Sequence, residues 1–265
     1  MSKTMFDRKS IFYTSQQRSM YVGRIGRIVK PPIVASSLLV SIEGDMELID
    51  ASNDRIVRSK SFLIPANMNV TIDTHGSKVA QCFLDDLGDD FSKLVPQMTA
   101  VSNIDSGFRL YSDIRKENEV IDHASFILNA RPSNEVVFEQ FEEWIGLGAN
   151  VTHDDRVVKA VTIIKDTYTE NISVGEMAAS VGLSVPRLSQ LFKQVTGVPI
   201  RRFRLWYRIF ATAAKLSKGY SLTDAAIASG FSDYPQLCRV FKEFTGLKPS
   251  VVKNNVEVRV LAGCF

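Results

Sequence analysis

Ser173-Val174-Gly175-Glu176-Met177-Ala178-Ala179-Ser180-Val181-Gly182-Leu183-Ser184 returns 48 residues later as Ser221-Leu222-Thr223-Asp224-Ala225-Ala226-Ile227-Ala228-Ser229-Gly230-Phe231-Ser232. One extra residue then enters the second copy, after which Pro186 to Gly197 matches Pro235 to Gly246 at an offset of 49. Both copies close on Phe-Lys-x-x-Thr-Gly. Agreement of this length with one insertion marks an internal duplication.

Each copy reads as helix, tight turn, helix. Ser173 and Ser221 are N-cap residues with an acid three positions on, Glu176 and Asp224, which approximates a capping box. The Ala-rich segments that follow are small enough for a second helix to approach closely. Gly182 and Gly230 fall where the helix must end in a residue tolerant of positive φ. Ser184 in one copy, and Ser232 or Asp233 in the other, are placed to cap the second helix. Its first turn holds Pro186 or Pro235, where a missing amide costs little. Along it Leu188, Leu191, Phe192 and Val195 recur at helical spacing, as do Leu237, Val240, Phe241 and Phe244. This is the helix-turn-helix unit of DNA-binding proteins. A single unit fits a plain helical bundle as well; the tandem favours DNA.

Between the copies, Pro199 to Ser217 predicts one helix of about 27 Å. Phe203, Trp206, Tyr207, Phe210 and Ala214 line one face and read as core, while Arg201, Arg204, Arg208 and Lys215 form a second stripe. Arg208, set between aromatics, reads as a structural ion-pair partner, and Arg202 is grouped with the DNA-contacting residues. A rigid spacer that matches one DNA turn, about 34 Å, lets both second helices enter successive major grooves.

With the apolar positions buried, the first reading helix exposes Val185, Arg187, Ser189, Gln190 and Lys193, and the second exposes Tyr234, Gln236, Arg239 and Lys242. Arg pairs bidentately with guanine and Gln with adenine, a good pair discriminating by about 1–3 kcal/mol, while Ser bonds either and apolar groups touch the thymine methyl. Lys193 and Lys242, later on their helices, suit phosphates, which position without reading sequence. The alternative for each residue is a solvated surface group.

Charge agrees with this division. The chain of 265 residues carries 32 Lys and Arg against 29 Asp and Glu, a net +3. Residues 1–152 hold 16 basic and 20 acidic side chains, whereas 153–265 hold 16 and 9, so the basic half is the one suited to a polyanion. Hydrophobic residues at 45% and charged residues at 23% exclude a disordered chain, and the length fits one large domain or two ordinary ones. No apolar run approaches the ~18 residues of a membrane helix. Met1 to Arg8 lacks the apolar core of a secretory signal, so a cytoplasmic location is expected. Cys82, Cys238 and Cys264 are odd in number and widely spaced, which excludes a disulfide scaffold and a zinc finger. No metal or cofactor is expected.

Ala-Ala-Ser-Val-Gly-Leu-Ser (178–184), Leu-Phe-Lys-Gln-Val-Thr-Gly-Val-Pro (191–199), Asp-Ala-Ala-Ile-Ala-Ser-Gly-Phe-Ser-Asp (224–233) and Arg-Val-Phe-Lys-Glu-Phe-Thr-Gly-Leu-Lys-Pro-Ser (239–250) together resemble the DNA-binding domain of the AraC/XylS family of transcription regulators. The resemblance implies an activator working on double-stranded promoter DNA with RNA polymerase. It also implies an N-terminal half that is a cupin-like barrel for a small-molecule effector, followed by helices that make a homodimer. Pro186 and Pro235 depart from the polar residues the family often has there, which implies apolar or absent readout at those points. The tail from Asn254 to Phe265 lies beyond the family motif and receives no role.

The N-terminal half alternates short β-rich runs with turns: Ile33–Ile42, Met46–Ile49, Ile56–Ser59, Ser61–Ile64, Val70–Ile72 and Val79–Leu84. These predict a small sandwich or barrel. Helical texture follows at Phe108–Glu117, Ile121–Leu128 and Ser133–Leu147. The last segment groups Val136, Val137, Phe141, Trp144 and Ile145 near one stripe, which either packs on its own domain or, through Val137, Phe141 and Trp144, serves dimerisation. The expected fold is therefore α+β: residues 1–152 β-rich over 21–90 and helical over 105–148, then 153–265 with helix-turn-helix units at 173–195 and 221–244.

An enzyme is the rival class, a cupin-like small-molecule enzyme or ligand-binding protein with accessory helices. A metal-dependent barrel needs clustered His and carboxylate ligands, yet only His75 of His75, His123 and His153 falls among the strands. No zincin, nucleophile-elbow, P-loop or dinucleotide fingerprint is present, so no catalytic residue is assigned. A nonspecific architectural protein fits poorly with uncharged Gln and Ser at the reading positions.

Overall fold

The computed structural model describes residues 10–15, 17–29, 35–50, 54–85, 87, 89–104, 108–145, 153–245 and 248–261. Strands β1 (Ser10–Thr14), β2 (Ser19–Arg24), β4 (Ser37–Ser41), β7 (Ser61–Ile64), β9 (Lys78–Phe83), β10 (Met98–Ile104), β11 (Phe108–Ile114) and β12 (Val256–Val260) form one sheet in the order β10-β11-β7-β4-β9-β2-β1-β12. A second sheet runs β3-β8-β5-β6, from Arg27–Ile28, Val70–Asp73, Met46–Asp50 and Ile56–Ser59.

Side chains alternate across a strand, so the large sheet has two apolar faces to cover. One face sets Leu39, Phe62, Ile64 and Val79 against Met46, Leu48, Val70 and Ile72 of the small sheet. The other sets Ile11, Tyr13, Leu38, Val40 and Leu63 against Val120, Ile127, Val137 and Phe141, which lie on α2 (Glu117–Ala130) and α3 (Asn134–Ile145). Arg18 on the β1–β2 hairpin bonds the buried Asp90 at 2.6 and 2.8 Å and also pairs with Glu142 of α3, tying that helix down. Among the described residues neither sheet closes on itself, so of the small sandwich or barrel that the strands allow the structure is an open two-sheet sandwich backed by helices.

One expectation changes. Phe108–Glu117 is not helical: β11 occupies it as far as Ile114. Buried Leu110, Ser112 and Ile114 alternate there with exposed Arg109, Asp113 and Arg115, a period of two. The apolar stripe of α3 is taken up inside the chain. Val137 is fully buried and Phe141 nearly so in the core under the sheet, the packing reading rather than an exposed dimer face. The Trp144 side chain lies outside the described residues.

The C-terminal half is helical: α4 (Asp155–Asp166), α5 (Val174–Ser180), α6 (Val185–Thr196), α7 (Ile200–Ser217), α8 (Leu222–Ala228), α9 (Tyr234–Thr245) and α10 (Pro249–Asn255). One core serves both repeats, with Met177, Leu188 and Phe192 of the first and Ala226, Leu237 and Phe241 of the second around Phe203, Trp206 and Ile209 of α7. The same core reaches Ala35, Ala66, Phe83 and Leu87 of the N-terminal half. Phe83 meets Trp206 edge-on at 5.0 Å, and Phe12 stacks on Phe210 at 5.8 Å. The chain then crosses back, because β12 leaves α10 without a linker and pairs in parallel with β1. A domain boundary that assigns all of 153–265 to the helical half is thus corrected: residues 256–260 belong to the N-terminal sheet. Cys264 lies outside the described residues.

Candidate nucleic-acid interface

The two repeats fold through the same local chemistry. Ser173 Oγ accepts from the Glu176 amide at 3.1 Å while Glu176 accepts from the Ser173 amide at 2.8 Å, a complete capping box. At the second repeat Ser221 Oγ accepts from the Asp224 amide at 3.0 Å, and the shorter Asp224 side chain takes the Ser221 hydroxyl at 2.6 Å. Gly182 and Gly230 adopt φ of +68° and +84°, turning each chain from first to second helix. Ser184 caps α6 through the Arg187 amide, and Asp233, rather than Ser232, caps α9 through the Gln236 amide at 2.6 Å.

α7 holds the two second helices. Phe203 meets Phe192 of α6 edge-on at 5.4 Å, and Trp206 stacks on Phe244 of α9 at 6.0 Å. Both reading helices are therefore seated on one rod of about 27 Å by aromatic contacts less than one turn apart. Arg208 is structural, as its position between aromatics suggests, but its partners are not an ion pair. Nearly buried, it donates to the Tyr168 carbonyl at 2.6 Å, the Glu170 carbonyl at 3.0 Å and Asn171 Oδ1 at 3.1 Å, clamping the α4–α5 turn. Burial, then the neighbouring Arg204, pulls its pKa down. Arg204 itself is half-buried with Nε and Nη2 unbonded, and burial depresses its pKa.

Outside this core the reading faces are open. On α6, Arg187, Ser189, Gln190 and Lys193 are all exposed, and Arg187 Nη1 donates to Gln190 Oε1 at 3.2 Å. That pair presents a guanidinium and an amide side by side. On α9, Arg239 and Lys242 are exposed, whereas Tyr234 and Gln236 are half-buried. The Gln236 amide oxygen accepts from the Ser232 backbone at 2.8 Å, a helix-capping duty that leaves only its NH2 outward. The Tyr234 phenol bonds the Cys238 thiol one turn on, which raises its pKa. Arg202 stands on the rod, not on a reading helix, and is shared between Glu243 at 3.4 Å and the Phe244 ring. α6 carries no acidic residue and α9 only Glu243.

Sequence reasoning passed over α4 and its cap. Asp154 accepts from the Arg156 amide at 3.0 Å, and the hydrogen-bonded Arg156 side chain holds its carboxyl at about 2. The signal was present: an Asp ahead of Val157, Ala160, Val161 and Ile164 at helical spacing. A cavity of about 50 Å³ lies under α2, lined by Met20, Cys82, His123 and Phe141 among others, and one of about 30 Å³ lies between the halves beside Asp85, Lys165 and Trp206. Each has room for no more than a few waters.

Residues 177–255 match the family described as "Helix-turn-helix domain". The arabinose operon regulatory protein of Escherichia coli is 36% identical over 113 residues, covering 40% of this chain and 37% of that protein. Over these residues the chain carries a helix-turn-helix domain similar to that of the arabinose operon regulator. Within curated members of helix-turn-helix type, a transcriptional regulator of Staphylococcus aureus is 31% identical over 116 residues, 40% of this chain but only 15% of its own length. ToxT of Vibrio cholerae has a similar fold, with a TM-score of 0.58 over 91% of this chain and 99% of ToxT at 16% identity. That likeness shows the fold alone, a β-rich N-terminal half followed by a helical C-terminal half, the order expected from the sequence. Among the described residues no helix is long and apolar enough to cross a membrane.

Proposed function

We propose that the protein is a sequence-specific, non-enzymatic transcription regulator, an activator, that inserts α6 and α9 into successive major grooves of promoter DNA. The observation that carries this reading is the seating of both capped, basic helices on one rod, with Arg187, Gln190 and Arg239 left exposed. Arg187 and Arg239 read guanine edges, Ser189 and Gln190 supply further base contacts, and Lys193 and Lys242 take phosphates. Tyr234 lends an aromatic edge to a thymine methyl. Gln236 contributes through its amide NH2, and Arg202 positions α9 through Glu243.

The N-terminal half governs this activity by taking up a small-molecule effector and by forming a homodimer in the cytoplasm, with RNA polymerase as the downstream partner. Selection of bound sequences from a random DNA pool tests the reading. An enriched motif of two sub-sites about 10 bp apart is expected; a pool that returns unenriched would overturn it.

A further inference from the structure

We propose that residues 256–261 are a releasable strap that fastens the DNA-binding half to the N-terminal sheet. The Leu261 amide donates to the Thr14 carbonyl at 2.9 Å, and the register pairs Ser10 with Val256 through Thr14 with Val260. In a parallel ladder this phase turns the backbone groups of Ser10, Phe12 and Thr14 toward the strap. Ile11 and Tyr13 turn instead toward β2, whose Val22 and Met20 lie opposite them.

The strap is the outermost strand of its sheet, and all five residues of β12 are only half-buried, whereas four of the five in β1 are fully buried. Lifting it exposes little apolar surface, which is the condition for local opening well below the cost of global unfolding. Side chains supply the grip. Arg259 donates to the carbonyls of Arg131 at 2.5 Å and Pro132 at 2.7 Å and to Glu257 at 2.9 Å, and its guanidinium lies over the Tyr13 ring. Glu257 in turn pairs with Arg131. Arg131 sits at φ +50°, a conformation most side chains avoid, and it ends α2 there with its carbonyl turned to Arg259.

The strap therefore grips the corner between α2 and α3. Its other end is α10, which packs on the core of the reading helices through Val252. Movement of the α2–α3 corner releases Arg259, loosens β12 and frees α7, whose Phe210 then loses Phe12. This is a mechanical route from the N-terminal half to the rod, and it does not depend on what α6 and α9 read.

Site-resolved amide exchange on the full chain tests it. Phe12 and Thr14 are expected to exchange together with Glu257, Arg259 and Leu261, and faster than their neighbours Ile11 and Tyr13. Arg259→Ala should speed the first group roughly tenfold, the loss of charge-assisted bonds worth about 1.5 kcal/mol, without moving the second. A Thr14→Cys and Val260→Cys pair, in a Cys264→Ser background, should cross-link on oxidation and slow the first group. Exchange of Phe12 and Thr14 as slow as Ile11 and Tyr13 in every variant would show a fixed core strand and overturn the proposal. Absence of the cross-link in a folded protein would overturn the docking itself.

Discussion

Gly230→Ala and Gly182→Ala place the same methyl at the same point of two repeats, and the structure separates their costs. Gly182 has φ +68° and open space around its missing Cβ. Alanine there should cost only the left-handed backbone, about 1–2 kcal/mol. Gly230, at φ +84°, would place a Cβ 2.8 Å from the Tyr168 carbonyl, 2.9 Å from Arg208 Nε and 2.9 Å from Thr169 Cα. Two of those neighbours are backbone and the third is a clamped guanidinium, so none yields easily. Overpacking adds about 1–3 kcal/mol, bringing Gly230→Ala to roughly 2–5 kcal/mol. Urea unfolding of both variants at 25 °C measures the difference. Losses equal within about 0.5 kcal/mol would refute the argument that the second turn is pressed against the Arg208 clamp.

Arg239→Ala should weaken specific binding by about 1–3 kcal/mol and relax preference at one base, while Lys242→Ala weakens all sequences alike and lowers the salt slope by about 1. Competition binding that shows equal losses on specific and random DNA for Arg239→Ala contradicts its role. Arg208→Ala leaves the Tyr168 and Glu170 carbonyls without their donor and should destabilise by about 3 kcal/mol; a melting curve unchanged from wild type would dispose of the clamp. Asp154, held at about 2 against an ordinary 3.8, stabilises the chain above 3.8 and loses that contribution as pH falls toward 2. Asp154→Asn should therefore flatten the acid limb of a stability–pH curve, and an unaltered limb counts against the cap. A fragment of residues 153–255, which omits the strand that needs β1, should fold and bind DNA by itself; an insoluble product would count against independent folding.

What was legible in the sequence was local. Caps at Ser173, Ser184 and Ser221, the left-handed glycines 182 and 230, and the apolar faces of α6 and α9 each depend on residues within one or two turns. The strands from Met46 to Phe83 were legible for the same reason. The pairing of β12 with β1 was not, since it joins residues 246 positions apart and a half-buried Val-Glu-Val-Arg-Val says nothing about which edge it will find. β11 was missed although its two-residue period was visible, because charged residues on its exposed face also suit a helix. At the interface, side-chain type suggested Gln236 as a base reader, while its proximity to the Ser232 amide gives it a capping bond that composition does not reveal.

Spacing tests the central claim most directly. In the site recovered by selection, five base pairs inserted between the two sub-sites turn one of them to the opposite face of the duplex. A rod that fixes α6 and α9 together predicts loss of one helix's contribution, a fall in affinity of at least about tenfold. Affinity unchanged by the insertion would contradict the two-helix, one-rod account.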